Sequence, residues 1–518
     1  LYLNADKCKI LRLGCLKFSN FRLPTHLPLQ WVDGGVDILG IHIPIDMNSI
    51  VNVNIEPRLE GLDTVLRPWK GKSLSLYGKI TVVNSLVVSQ FTNLFQVLPS
   101  PDDLFFKRCE KKIFSFIWND GPERVARKVL YNSVENGGLN LKNLRIYDKT
   151  MKASWVPKLY FHPEWFVSRS IISHPRLRLS LLPFFHLLSV TSLNLTTFLS
   201  QVLDAWYEFQ HLEPTSPGGV RRQILWNNSN IVIDNKPIFF TAMLNRNIIF
   251  VNDLLSNDGL LMSYHEFCLM YTNICDQLRY QQIISAIPSK WKNLLSREHT
   301  KNLVCMIFQK NYAWLKNVKI NKAVYNYFLV SNNQITVAHK IRLSWFDYFD
   351  THVPWKMVFT NIIKATIDPS LRYFQYRLIY KFLPCNKILR TWNLTESNSC
   401  SFCNNDEETY VHVFWECVHV IAFWIEVENW LTHEIGLTLD LTSFMVIFGE
   451  LSLNTSPLRN IIILLGKVFI FRSRRFKCLH LRSFKKLVSF YQKTEFLIAS
   501  RRGKLEKHRG KWGTLCTD

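Results

Sequence analysis

The sequence predicts a mainly α-helical chain of several domains with a small α+β section at its N-terminus, and three observations carry that prediction. Apolar residues recur three and four apart in Leu76, Ile80, Val83, Val87 and Phe91, and again in Phe105, Cys109, Ile113, Phe116 and Ile117, so each run has one buried helix face. Polar and apolar residues alternate between Leu1 and Pro44, with turn residues at Asp33-Gly34-Gly35, a pattern that suits strands. The chain has 518 residues, of which 47% are hydrophobic and 14% aromatic, enough for more than one core.

Along the chain, Ile55 to Trp155 reads as helices. The adjacent Asp102-Asp103 has the composition that a two-metal enzyme uses to hold magnesium. It follows Pro99-Ser100-Pro101 and opens a strongly helical stripe, so it reads as an N-cap whose charge suits the helix dipole. From His162 to Ser216 the pattern is loosely helical, and Pro214-Thr215-Ser216-Pro217-Gly218-Gly219 marks a boundary. Arg221 to Pro369 mixes short segments such as Ile231-Val232-Ile233 with a Trp-rich helix around Trp314 and Trp345. Its His, Ser and Asp residues show no triad spacing, and its tryptophans read as core. Leu371 to Leu389 reads as a helix with Phe374, Leu378, Phe382 and Leu383 on one face, ended by Pro384.

The formal charge is +23, from 63 Lys plus Arg against 40 Asp plus Glu. Such an excess draws polyanions, above all RNA and DNA. No uninterrupted apolar run reaches the ~20 residues of a spanning helix. The stretches around Leu179 to Leu195 and Ile461 to Phe471 read as buried helices, and no membrane partner is expected. The charge concentrates between Leu458 and Trp512, where Phe469, Phe471, Phe476, Phe484, Phe490, Tyr491 and Phe496 are interleaved with it. Arg472, Arg474, Arg475, Lys485, Lys486, Arg501 and Arg502 are the candidate phosphate contacts there, with the aromatics as stacking faces. A solvated helix face over a small core is the competing reading of the same stretch. No secretory signal opens the chain, and its 12 Cys do not read as a disulfide framework at this length, which implies an intracellular protein, nuclear or cytoplasmic.

One stretch has chemistry that spacing alone identifies. Cys400, Cys403, His412 and Cys417 give C-x2-C-x8-H-x4-C, the ligand spacing of a closed, structural zinc site. Four protein ligands leave no open position for water, so the ion would hold the fold and not catalyse. His419, two residues past Cys417, is the alternative fourth ligand.

The order of these ligands, followed by Phe414-Trp415-Glu416-Cys417 and Phe423-Trp424, resembles the zinc-binding segment near the C-terminus of LINE-type (non-LTR) retrotransposon reverse transcriptases. Trp69-Lys70 with Ser73-Leu74, Gly78-Lys79, Gln96-Val97-Leu98-Pro99, Pro101, Phe116-Ile117-Trp118 and Gly137-Gly138-Leu139 resemble, in order, the thumb of those enzymes. Leu3-Asn4-Ala5-Asp6-Lys7-Cys8-Lys9 and Leu39-Gly40-Ile41 resemble the palm segments that follow the catalytic strands and support the primer end. Gln375 through Pro384, Leu465-Gly466-Lys467, Glu495 with Ala499, and Lys511-Trp512 are similar to the family's C-terminal module.

The resemblance implies a palm remnant over 1–54, a helical thumb over 55–155, a helical connector over 156–370, a zinc-knuckle-like segment over 371–430 and a basic helical tail over 431–518. It adds Lys70 and Lys79 as nucleic-acid contacts and makes RNA and DNA the partners, with no small-molecule substrate for this part alone. It places the catalytic aspartates and the endonuclease before Leu1, so magnesium would bind only with that half and no catalytic residue is assigned here. The alternative is a zinc-containing nucleic-acid-binding protein of retrotransposon origin with no catalytic role.

Overall fold

The computed structural model describes residues 8–515 apart from 18, 21–29, 163, 166, 169–195, 211–216, 222, 227, 229, 247, 257, 273, 297–319, 333–336, 347, 350–352 and 452–455. The stretch Leu179 to Leu195, Trp314 and most of Leu3 to Lys9 therefore lie outside the described residues. The chain forms two compact units, one of Leu1–Leu62, Val88–Cys109 and Asn143–Asn332, the other of Asp63–Val87, Glu110–Lys142 and Asn333–Asp518. Both are mainly helical.

The first unit opens on the strands its alternation implies. Lys9–Leu11 pairs in parallel with Gln30–Val32, and Gly35–Ile38 pairs antiparallel with Ile41–Pro44. Leu39 and Gly40 link the latter two, both with positive φ (51° and 78°), the backbone of a type I′ hairpin turn. Asn54 fixes this hairpin to the helix Ile50–Lys70: its Oδ1 accepts from the His42 N–H at 2.7 Å, and its Nδ2 donates to the carbonyls of His42 and Ile50 at 2.7 and 2.8 Å. Asp102 caps the helix Asp103–Trp118, its Oδ1 accepting from the Phe105 N–H at 2.8 Å, while Asp103 pairs with Arg145. A buried pair, Lys152 and Asp148 at 3.0 Å, is completed by the Phe95 carbonyl and the Ser100 hydroxyl. Further along, Trp226, Met243, Phe267, Tyr280 and Trp291 build a separate small core.

Every residue of the two stripes, from Leu76 to Phe91 and from Phe105 to Ile117, is buried. The helical run Leu76–Val97 is long and apolar enough to cross a membrane by length and composition, and 44% of that window is buried in the protein. Sequence reading passes over it because Lys79, Asn84 and Ser85 interrupt the apolar residues. Both Lys79 and Asn84 have internal partners in the second unit. The Asn84 amide bonds the Asn140 carbonyl and the Lys142 N–H, and the Lys79 ammonium donates to the carbonyls of Phe116 and Ile117 and to Asn119 Oδ1.

The core of the second unit surrounds the helix Pro457–Ser473, which is buried along most of its length. Phe374, Phe414, Trp424, Phe484 and Trp512 belong to the same core. Trp345 is buried in it with its Nε1 donating to the Ile379 carbonyl, as its reading as core implies. The helix that leads to the zinc segment is shorter than expected, Pro369–Ile379. Lys381 takes a positive φ of 54°, and the N–H groups of Phe382 and Lys381 return to the carbonyls of Arg377 and Leu378, a Schellman ending that precedes Pro384. Phe382 and Leu383 stay buried, but in a turn.

Gly466 lies where this packing is tightest, since a Cβ there would fall 2.2 Å from the Trp424 indole. Gly466→Ala is expected to destabilise the protein by about 1–3 kcal/mol, because a rigid buried ring must move. Urea denaturation monitored by tryptophan fluorescence measures it.

Candidate metal centre

Two local devices bring the four ligands together. Cys400 and Cys403 flank a tight turn closed by the Asn404 N–H on the Cys400 carbonyl (3.0 Å), with Asn404 at a φ of 58° and Ser399 bridged to Glu407. His412 to Glu416 is a single π-turn, in which the Cys417 N–H donates to the His412 carbonyl five residues back at 3.0 Å. That wider turn sets His412 and Cys417 on the same side as the cysteine turn. The four ligand atoms all lie within 4.8 Å of one another.

Their spacing fits a tetrahedral ion. With metal bonds of about 2.3 Å to sulfur and about 2.0 Å to nitrogen, tetrahedral edges are about 3.8 Å between sulfurs and about 3.5 Å between sulfur and nitrogen. Cys400 Sγ and Cys417 Sγ are 3.8 Å apart, and Cys403 Sγ and His412 Nε2 are 3.4 Å apart. His419 is exposed and outside the group, so Cys417 is the fourth member. Burial pushes the Cys400 thiol up to about 12 and raises Cys417 as well. At Cys403 burial acts in the same sense but is outweighed by the N–H groups of Asp406 and Asn405 and by His412, which bring it to about 7. A divalent cation would supply the charge that buried thiolates need, releasing protons as it binds.

A buried carboxylate holds this loop. Glu408 is 0% exposed, and its oxygens accept from the N–H groups of Asn386 and Ser401 at 2.8 Å each, from the Ser401 hydroxyl and from Arg474. Arg474 also donates to the Pro384 carbonyl at 2.9 Å and lies over the Phe471 ring. Sequence reading had no signal for this role, because Glu408 ends a run of exposed polar residues and Arg474 stands among other arginines.

The cations read as phosphate contacts divide accordingly. Lys79 and Arg474 are corrections: Lys79 is 5% exposed, and both direct their donors inward. Lys70 pairs with Asp120, and Lys485 with Glu434 at 2.7 Å. Arg472, Arg475, Lys486, Arg501 and Arg502 are exposed. Among the aromatics, Phe484 is in the core, whereas Phe476, Phe490 and Phe496 are exposed, Phe476 by 81%.

Removing Arg474 would leave the Glu408 charge buried and unpaired. Arg474→Ala is expected to cost roughly 3–5 kcal/mol in urea denaturation, and the pair replacement Glu408→Gln with Arg474→Met to recover most of that. The reduced, folded protein is expected to carry one zinc ion by elemental analysis and Cys403→Ser to lose it, with local unfolding of the loop seen as faster amide exchange over 399–417.

Residues 341–424 match the family described as zinc-binding in reverse transcriptase. The match contains all four ligands together with Glu408 and Arg377. The segment that carries the site is thus similar to the zinc-binding segment of reverse transcriptases, and its four ligands have the types and spacing that zinc requires.

Proposed function

We propose that this chain is the C-terminal part of a LINE-type retrotransposon reverse transcriptase, and that its zinc-bearing unit holds a single strand of RNA or DNA. The observation that carries the proposal is a stripe on the helix Leu481–Arg501. Arg482, Lys486, Phe490, Lys493, Leu497 and Arg501 follow one another at intervals of four, four, three, four and four, and all are exposed. Phe484 and Val488 on the opposite face are buried in the core that also contains Cys400 and Cys417. Cations at this spacing reach successive phosphates, and an exposed ring between them offers a face to unpaired bases. Arg482 and Lys493 join the contacts that sequence reading selected. Phe476, between Arg475 and Lys477, extends the same chemistry into the preceding turn.

In this reading residues 55–155 are a thumb that grips primer and template, and the hairpin at Leu39-Gly40 is the palm segment beneath the primer end. Zinc acts only through the fold, by fixing the surface on which the stripe lies. The catalytic carboxylates belong to the part that would precede Leu1.

The test is a titration of labelled single-stranded RNA across a salt series. Replacing Arg482, Lys486, Lys493, Arg501 and the adjoining Arg502 by Ala is expected to reduce the salt slope by about 3.5, at about 0.7 per phosphate contact on a single strand. Phe490→Ala is expected to weaken binding by about 1–3 kcal/mol without changing that slope, because stacking releases no counterion. Equal slopes for wild type and the five-fold variant would overturn the assignment of the stripe.

A further inference from the structure

Asp406, Glu407 and Glu408 are consecutive acids between the cysteine turn and His412, and two of them have plain counterparts. Glu408 is sealed against Arg474, while Glu407 pairs with Lys387 at 2.6 Å and accepts from the Asn398 amide at 2.9 Å. Asp406 meets no lysine or arginine among the described residues. Its carboxylate lies against two of the metal ligands, with Oδ2 3.9 Å from Cys403 Sγ and 3.9 Å from His412 Nδ1. The main chain holds it there, because the Asp406 carbonyl accepts from the Cys400 N–H at 2.7 Å and its own N–H is turned to the Cys403 sulfur.

The two ring nitrogens of His412 have different surroundings. Nε2 is 3.4 Å from Cys403 Sγ and belongs with the sulfurs, which leaves Nδ1 on the other side of the ring, facing Asp406. An imidazole that gives Nε2 to a metal carries its proton on Nδ1, and that N–H needs an acceptor. Asp406 is the only one facing it among the described residues. At 3.9 Å the two groups are less than about 1 Å beyond hydrogen-bond range. The Asp406 side chain is 69% exposed, so a change of rotamer is free to close that gap. Cys403 competes for the same oxygen only while it is a thiol, since a metal-bound thiolate has no proton to give. Three thiolates already outweigh a divalent ion, so a fourth anion beside them gains nothing from charge alone. Its place is explained by a hydrogen bond.

We propose that Asp406 is a positioning residue of the metal centre, whose carboxylate accepts from the Nδ1–H of His412 and so fixes the ring with Nε2 toward Cys400, Cys403 and Cys417. Such a bond sets the tautomer and the orientation of the imidazole and makes Nε2 the stronger donor. The proposal rests on the zinc site and is independent of the nucleic-acid reading.

The test is competition for zinc between a chelator and the full, reduced chain. Asp406→Ala removes the acceptor but keeps the main-chain bonds to Cys400 and Cys403, and it is expected to weaken zinc binding about tenfold or more. Asp406→Asn, whose amide oxygen still accepts, is expected to retain most of the wild-type affinity. His412→Cys keeps four ligands without the imidazole N–H, and in that background Asp406→Ala is expected to change nothing. Unchanged affinity in Asp406→Ala would overturn the assignment, as would equal losses in the Ala and Asn variants or the same loss with Cys at position 412. If His412→Cys holds no zinc, the comparison of Ala with Asn decides alone. A wild-type protein that holds no zinc would overturn the metal centre together with this role of Asp406.

Discussion

A carboxylate sealed from water beneath the zinc loop is the interaction on which the C-terminal unit depends. Taking an ionised Glu out of water costs several kcal/mol unless its lone pairs are filled and its charge is matched. Glu408 meets both conditions, through the N–H groups of Asn386 and Ser401, the Ser401 hydroxyl and the Arg474 guanidinium. Because Arg474 follows the helix Pro457–Ser473 and also donates to the Pro384 carbonyl, one carboxylate ties together the cysteine turn, the segment before it and the start of the basic tail. The four ligands would act on a loop that is already placed. A closed coordination sphere would then restrict zinc to holding structure.

The buried cations of both units repeat one solution. Lys79 donates into the last turn of the helix Asp103–Trp118, Lys152 to Phe95 near the end of Val88–Val97, Lys467 to Ile447 in Ser443–Phe448, and Lys511 to Ala365 at the end of Trp355–Ala365. Helix C-termini leave carbonyls without intrahelical partners and carry partial negative charge, so an ammonium satisfies both needs together. Burial lowers the pKa of all four lysines, Lys467 to about 7. For a buried lysine the carbonyls offset part of that desolvation, and the surrounding helices are locked end to side. A net charge of +23 therefore overstates what the surface displays.

Much of this was legible in the sequence, and what was not has a common cause. The stripes at Leu76 to Phe91 and Phe105 to Ile117 were readable because burial of one helix face leaves a period. The metal ligands were readable because zinc fixes both residue type and spacing, and the preference for Cys417 over His419 agrees with the exposure of His419. Asp102 was readable as a cap from the proline that precedes it and the helix that follows. The end of the helix at Ile379 was not, because Lys381 adopts a left-handed conformation that its residue type does not announce. Nor were Glu408, Arg474 and Lys79, whose partners lie tens of residues away, beyond the reach of any local pattern.

The period that finds cores also separates displayed cations from engaged ones, once it is applied to charge. In Leu481–Arg501 the residues Arg482, Lys486, Phe490, Lys493 and Arg501 recur at three, four and eight residues, opposite Phe484 and Val488, so the face away from the core carries them, whereas Lys485 beside Phe484 is paired with Glu434. Arg474 and Lys467 fall outside any such stripe; each lies in or next to a helix buried along most of its length, and each has acceptors from other segments. A cation in phase with an exposed stripe is free to meet a phosphate, whereas one in phase with the core must have found its counterpart within the protein.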